Sequence, residues 1–365
     1  MIETLTSWRD KLLGRGDAAI TIPVLDGAFK PNRVLEDAAV LATLEAPEDL
    51  ATDGKALFVA DGSRVLRFTG AQHAEEFRVD GTITALACLP QGGIAVAIDG
   101  RRVKIVSGPH SGKQWTSVLG REMVSVNAIS PSKEGRLHVT DGSATQPYER
   151  WCHDLMERGR TGRLLELDPE QSDGRELRTG LQYAFGCCVS ADATWVSETW
   201  KHRILNAAAA PGSDVVLDWL PGYPCRTTPA PGGGFWLCAF AGRTQLVEFI
   251  LRENAYRRKM IDEVDPRYWI APALSSGDDF LEPLQGAQVK MRGVLKPYAP
   301  PRSYGLVIRL DANGVPVSSF QSRLDGKNHG VVSAVEFQGV LFVLAKGSKR
   351  VLQLPVDNAP RSSAT

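Results

Sequence analysis

The chain has no excess of either charge: 42 Lys and Arg stand against 42 Asp and Glu in 365 residues. A balanced chain sets up no global field toward nucleic acid or acidic lipid, so neither is expected as its main partner. No stretch approaches the roughly 18 consecutive apolar residues of a membrane span. Residues 1–20, MIETLTSWRDKLLGRGDAAI, carry mixed charges and no apolar run long enough for a signal-peptide core. The six cysteines (Cys88, Cys152, Cys187, Cys188, Cys225, Cys238) contain no CxxC spacing, and Cys152-His153 has no second ligand pair, so zinc is not expected. They read as buried free thiols of a reducing, cytoplasmic protein. A phosphate loop, a Rossmann glycine pattern and a serine-centred hydrolase elbow are all missing.

What is present is repetition. A short apolar run, a turn or insertion, and a second β-rich run recur along the chain. They appear as ALFVADGSRVLRF (56–68), GGIAVAIDGRRVKIV (92–106), GRLHVTDGS…GRLLELD (135–168), ATWVSETWKHRILNA (193–207), GGFWLCAF…YGLVIRLD (233–311) and GVLFVLAKGSKRVLQLPV (339–356). A period of about 40 residues with strands in each unit predicts an all-β fold, a single six-bladed β-propeller. The 35 Gly and 22 Pro supply turns at the blade edges.

Residues 1–45 read as an N-terminal arm whose TIPVL segment (21–25) is expected to supply the strand that closes the ring. Residues 46–356 read as the propeller, and 357–365 as a tail. Two insertions interrupt the units, at 144–161 and 241–303. In the second, which falls in blade 5, Leu246, Phe249, Ile250 and Ile261 are spaced for one amphipathic helix, expected to lie across the disc as a lid. About eight residues before each Gly-type turn stands a small apolar segment, read as the innermost strand of a blade. Its first residues should face the central tunnel, so six different residues converge there.

At TGRLLELDPEQ (161–171), WVSETWKHRIL (195–205), LPGYP (220–224) and GGGFWL (232–237) the chain resembles the strictosidine synthase-like proteins. These belong to a six-bladed superfamily that includes paraoxonases and the senescence-marker-protein/gluconolactonase lactonases. The resemblance implies a tunnel cation in the calcium-dependent members, held by a first-blade Glu and by Asn or Asp from later blades. Such a cation polarises an ester or lactone carbonyl or activates water. Here PED keeps Glu48 and VNAI keeps Asn127. Phe185 stands where an Asn is usual, and Cys225-Arg226 follow Pro224 where Asp-Asn is usual. Two oxygens cannot meet calcium's coordination, and a cation beside Arg226 is opposed by charge. The expectation is therefore a lost calcium site, no metal and no cofactor, with Arg226 either pairing with Glu48 across the tunnel or turned to solvent. The glutamate that handles protons in strictosidine synthesis falls near Val332, so that reaction is not expected.

Two functional readings stand open. One is a small-molecule hydrolase of ester or lactone type, with Glu48 as base, Arg226 as binder of an anionic or developing oxyanion group, and Asn127 and Phe185 lining the tunnel. Cys225 is a candidate nucleophile with His329 as its base. Asp141 and Glu198 are candidates for substrate contact at the pocket mouth, or for hydrogen bonds to backbone at the blade tops. The other reading is a non-catalytic propeller binding a small, anionic ligand or serving as a scaffold. A tunnel plugged by Phe185 and an Arg226–Glu48 pair would favour the second.

Overall fold

A computed structural model of the chain describes residues 21–190, 193–283, 290–291, 294–295 and 302–356. The repeated units fold into six four-stranded antiparallel sheets. Blade 1 runs Pro47–Thr52, Leu57–Asp61, Arg64–Thr69 and Gln72–Arg78, and blade 2 begins at Ile83–Cys88. Blades 3, 4, 5 and 6 begin at Val126–Pro131, Ala184–Val189, Gly222–Pro229 and Val331–Phe337. Each innermost strand contacts the next around the ring, and that of blade 6 contacts that of blade 1, which closes the propeller.

Burial follows from this geometry. The innermost strand Pro47–Thr52 and its neighbour Leu57–Asp61 are almost wholly buried, whereas the outermost strand Gln72–Arg78 is exposed. The second strands are packed on both faces and read as nearly continuous apolar runs, as in LFVAD and IAVAI, whereas the innermost strands also carry polar residues at the axis.

The ring is closed by Ala39–Thr43, the outermost strand of blade 6, which pairs antiparallel with Arg350–Pro355 (Ala39↔Gln353, Thr43↔Arg350). The segment 21–25 expected for this role is not a strand. It carries Pro23, which has no N–H to give to a ladder.

One device recurs where a second strand turns into the third. Asp61, Asp141 and Glu198 each end a second strand opposite an arginine that opens the third: Arg64, Arg163 and Arg203. The ion pairs measure 2.6, 2.7 and 2.6 Å. The other carboxylate oxygen accepts the backbone N–H of Ala46 (2.6 Å), Ser125 (2.8 Å) or Gln182 (2.9 Å), ahead of the innermost strand. Asp141 and Glu198 are thus spent on holding their own blades.

The blade 3 insertion carries helix α1 (Trp151–Glu157) after a short 3-10 turn, Tyr148–Arg150. Between the second and third strands of blade 5 lie α2 (Gln245–Ile250) and α3 (Asn254–Glu263), so the single helix expected over 246–261 is two. Thr244 caps α2 by accepting from Val247 N at 3.3 Å. The break falls at Glu253, whose ψ of 77° leaves the helical region. Phe249 faces solvent while Ile250 is buried. Among the described residues no helix is long and apolar enough to cross a membrane.

The Arg163–Asp141 pair is buried and the Arg64–Asp61 pair is partly exposed at its arginine. Arg163→Ala should therefore cost about 3–5 kcal/mol in urea unfolding, and Arg64→Ala clearly less. Equal costs would show that the device contributes no more in blade 3 than on the surface.

Candidate functional site

The site begins with a backbone irregularity repeated six times. In every blade the ladder between the first and second strands shifts register beside the axis. The shifts skip Glu48, Thr84, Asn127, Phe185-Gly186, Cys225-Arg226 and Val332 in turn. A bulge leaves its extra residue outside the ladder, so its carbonyl is free for another donor. Blades 1, 2, 3 and 6 thus bring acceptors to one narrow volume, while in blades 4 and 5 the Phe185 and Cys225 carbonyls accept from Thr140 Oγ1 and Ser197 Oγ.

Arg226 supplies the donors. Its Nη1 donates to the carbonyls of Glu48 (2.9 Å) and Val332 (3.4 Å), its Nη2 to Thr84 (2.7 Å), and its Nε to Asn127 (3.0 Å). One guanidinium is therefore shared by blades 1, 2, 3 and 6. Its closer carboxylate is Asp49, 3.2 Å from Nε, and Glu48 Oε1 lies 3.7 Å from Nη2. Phe185 covers the group, with its ring centre 5.3 Å from Cζ. Arg226 is only 4% exposed, which excludes the alternative of a side chain turned to solvent.

The geometry needs a close approach from blade 4. A Cβ on Gly186 would lie 2.1 Å from the Cys225 carbonyl oxygen and 2.7 Å from the Arg226 Cα, so only glycine fits there.

Burial works against the charge on Arg226, but Asp49, Tyr148 and Glu48 hold its pKa above the ordinary value. Asp49 accepts from Leu50 N (2.8 Å) and Leu86 N (2.9 Å). Its burial pushes the carboxyl above the ordinary range, while Arg226 pulls it back.

Above this plug, the Glu48 carboxylate takes a hydrogen bond from the Tyr148 hydroxyl on one oxygen and an ion pair from Lys346 Nζ on the other. The Lys346 ammonium also sits 5.2 Å from the Tyr148 ring centre. Tyr148, Trp151, Tyr183, Phe185, Phe240 and Leu274 surround a cavity of about 10 Å³ next to Lys346 and Val332, room for about one water. Burial, then the Glu48 charge, pushes the Tyr148 hydroxyl well above its usual pKa.

The structure brings Glu48, Asn127, Phe185 and Arg226 together at the axis. The Asn127 side chain is spent sideways, donating to Ala184 O at 2.8 Å and accepting from the Tyr183 hydroxyl at 3.4 Å. It does not bring Cys225 to His329. Successive residues of a strand face opposite ways, so Arg226 on the axis sends Cys225 into the core. There its thiol donates to Cys238 O at 3.2 Å, and burial pushes its pKa up to about 12. The ring nitrogens of His329 are taken by Ser303 Oγ (2.6 Å) and Arg323 O (2.7 Å). A thiolate–imidazole pair is therefore absent from this site.

Asp49, Thr84, Tyr148 and Lys346 belong to the site without having been expected there. Thr84 and Asp49 carry a signal in the repeat: Thr84 aligns with Glu48 and Asn127, and Asp49 adjoins Glu48. Tyr148 sits in an insertion and Lys346 in a turn, where the repeat gives no guide.

The strictosidine synthase family model matches residues 127–208. An adipocyte plasma membrane-associated protein of Salmo salar is 25% identical over 348 residues, 86% of this chain and 75% of the relative. Strictosidine synthase-like 6 of Arabidopsis thaliana is 27% identical over 59% of this chain and 62% of its own length. Among solved structures, a gluconolactonase from Xanthomonas campestris superposes with a TM-score of 0.55 at 14% identity, covering 93% of this chain and 98% of that one. A luciferin-regenerating enzyme gives 0.53 at 12% identity, covering 89% and 95%. At such identities these two establish the fold. The ring of six blades and the sequence matches together place the chain in the six-bladed propeller superfamily. Within it, the likeness is to the strictosidine synthase-like proteins.

Arg226→Met leaves Asp49 buried without its partner and should cost about 3–5 kcal/mol. With Arg226 gone, the largest influence opposing the upward push of burial on the Asp49 carboxyl is lost and only the hydrogen bonds from Leu50, Leu86 and Ser333 remain, so the folded state binds that proton more tightly than the unfolded chain does. The carboxyl's contribution is then fully present at low pH and is lost as pH rises through the raised folded value. Denaturant unfolding of the variant should show stability recovering, relative to wild type, as pH is lowered through the raised value of that carboxyl. A deficit independent of pH would contradict the Asp49 pairing.

Proposed function

We propose that this chain is a metal-independent binding propeller, in which an arginine takes the place of the axial cation and the closed tunnel carries no hydrolytic chemistry. The observation that carries the reading is the Arg226 guanidinium, bonded to carbonyls of four blades. Calcium takes six to eight oxygens. At this axis the carbonyls already serve the guanidinium, whose charge opposes a divalent ion. Among the described residues no three His, Cys, Asp or Glu side chains converge as metal ligands. The residues present do not fit calcium, and no step is assigned to it.

Size supports the same reading. A cavity with room for about one water admits no substrate, and the insertion residues Trp151 and Leu274 lie against it as a lid over the mouth. With Arg226 engaged at the axis, Lys346 lines this mouth as a partly exposed cation, its side chain 25% exposed and shared with Glu48. Binding to a small anion or a protein is then a property of the mouth and the faces.

A hydrolase reading has one observation in its favour: the Glu48 carboxylate reaches the cavity wall between Tyr148 and Lys346. It requires Trp151 and Leu274 to move aside, and release of Glu48 from both partners before it could act as a base.

Thermal unfolding with EDTA and with added calcium, beside assays on a lactone and an aryl ester, separates the two. Neither additive should move the melting temperature, and hydrolysis should not exceed the uncatalysed rate. A melting temperature that falls with EDTA, or calcium-dependent turnover, would overturn the binding reading.

A further inference from the structure

The two insertions meet away from the tunnel plug, where α3 packs on α1, and their junction is crowded with arginines. Arg257 on α3 is 6% exposed. Its Nη1 donates to Met156 O on α1 and its Nη2 to Asn254 Oδ1 at 2.8 Å, but its Nε is buried without any partner. Arg252, in the turn between α2 and α3, likewise has a buried Nη2 with no partner. Arg158 follows α1 directly and is exposed.

Buried donors without acceptors are rare in native proteins because each costs the loss of its hydration. Two of them, on arginines five residues apart that both feel the charge of Arg158, mark a missing acceptor. Burial, followed by the charge of Arg158, depresses both Arg252 and Arg257, with Arg258 adding to the push on Arg257. The acids that face the cluster are Glu157 and Glu248. Both have other duties. Glu248 is paired with Arg243 at 3.0 Å and His202 at 3.3 Å, and Glu157 accepts from Gln146 Nε2 at 2.7 Å.

We propose that Arg158, Arg252 and Arg257 form a binding site for a phosphate-class oxyanion at the junction of the two insertions. A phosphate group offers three or more acceptor oxygens and close to two charges. It therefore satisfies several guanidinium forks at once, which a single carboxylate does not. Bound there, it bridges α1 and α3 and ties the blade 3 insertion to the blade 5 insertion. The same chemistry is carried by a soluble phosphate monoester and by a phospholipid headgroup.

The test titrates the full chain with inorganic phosphate at constant ionic strength, with chloride as the control, by calorimetry. In parallel, the chain is sedimented with phosphatidylcholine vesicles with and without phosphatidate. Phosphate should bind where chloride does not, and Arg158→Gln/Arg252→Gln should weaken it by about tenfold or more. Arg67→Gln, at an exposed position of blade 1, should leave it unchanged. If the double variant fails to fold, Arg158→Gln alone carries the test, since that side chain is exposed. Arginine-dependent sedimentation with phosphatidate, competed by phosphate, assigns the site to a lipid headgroup. Phosphate binding without vesicle binding assigns it to a soluble monoester. Binding of phosphate no stronger than chloride, or equal binding by the arginine variants, overturns the proposal.

Discussion

Where six bulged strands meet at an axis, the carbonyls of four of them, in blades 1, 2, 3 and 6, need a donor there, and the Arg226 guanidinium is what supplies it. A buried acceptor without a donor costs of order 1–3 kcal/mol, and here several face one another at close range. A planar cation with five N–H groups can serve several acceptors at once. Asp49 and Glu48 offset the charge of Arg226, and Lys346 completes a cluster of two cations and two carboxylates, formally neutral. The same argument explains Gly186, since a side chain there would push Arg226 off the axis.

Outward from the plug the structure depends less on charge and more on burial. The second strands are almost wholly apolar and buried, and the acid–arginine pairs of blades 1, 3 and 4 fasten the turns behind them. Aromatic rings then line the mouth: Trp151 of the blade 3 insertion packs edge-on to Phe240 of blade 5 at 5.2 Å, and in blade 4 Tyr183 stacks on Trp200 at 4.5 Å. Beneath these rings the Glu48 carboxylate is held between Tyr148 and Lys346, bonded to both.

The fold was legible because a propeller writes itself locally: each blade is a set of hairpins, and hairpins carry their turn chemistry in sequence. The residues on the axis were legible for the same reason, as Glu48, Asn127, Phe185 and Arg226 occupy one position of the repeat. The closing strand was not, because Ala39–Thr43 is defined by pairing with Arg350–Pro355, far away in the chain. The pairing of Cys225 with His329 failed on a local rule, strand alternation, once Arg226 was known to hold the axis. Tyr148 and Lys346 reach the site from an insertion and a turn, where the repeat says nothing about direction. The burial that silences Cys225 and engages Arg226 is likewise a property of the assembled ring.

The measurement that bears most directly on the arginine plug is a crystal structure of the protein grown in excess calcium. The account predicts planar density for Arg226 on the axis, bonded to the carbonyls of Glu48, Thr84, Asn127 and Val332, with no anomalous peak beside it. A spherical ion on the axis, ligated by Glu48 and Asn127 with Arg226 swung aside, would contradict it.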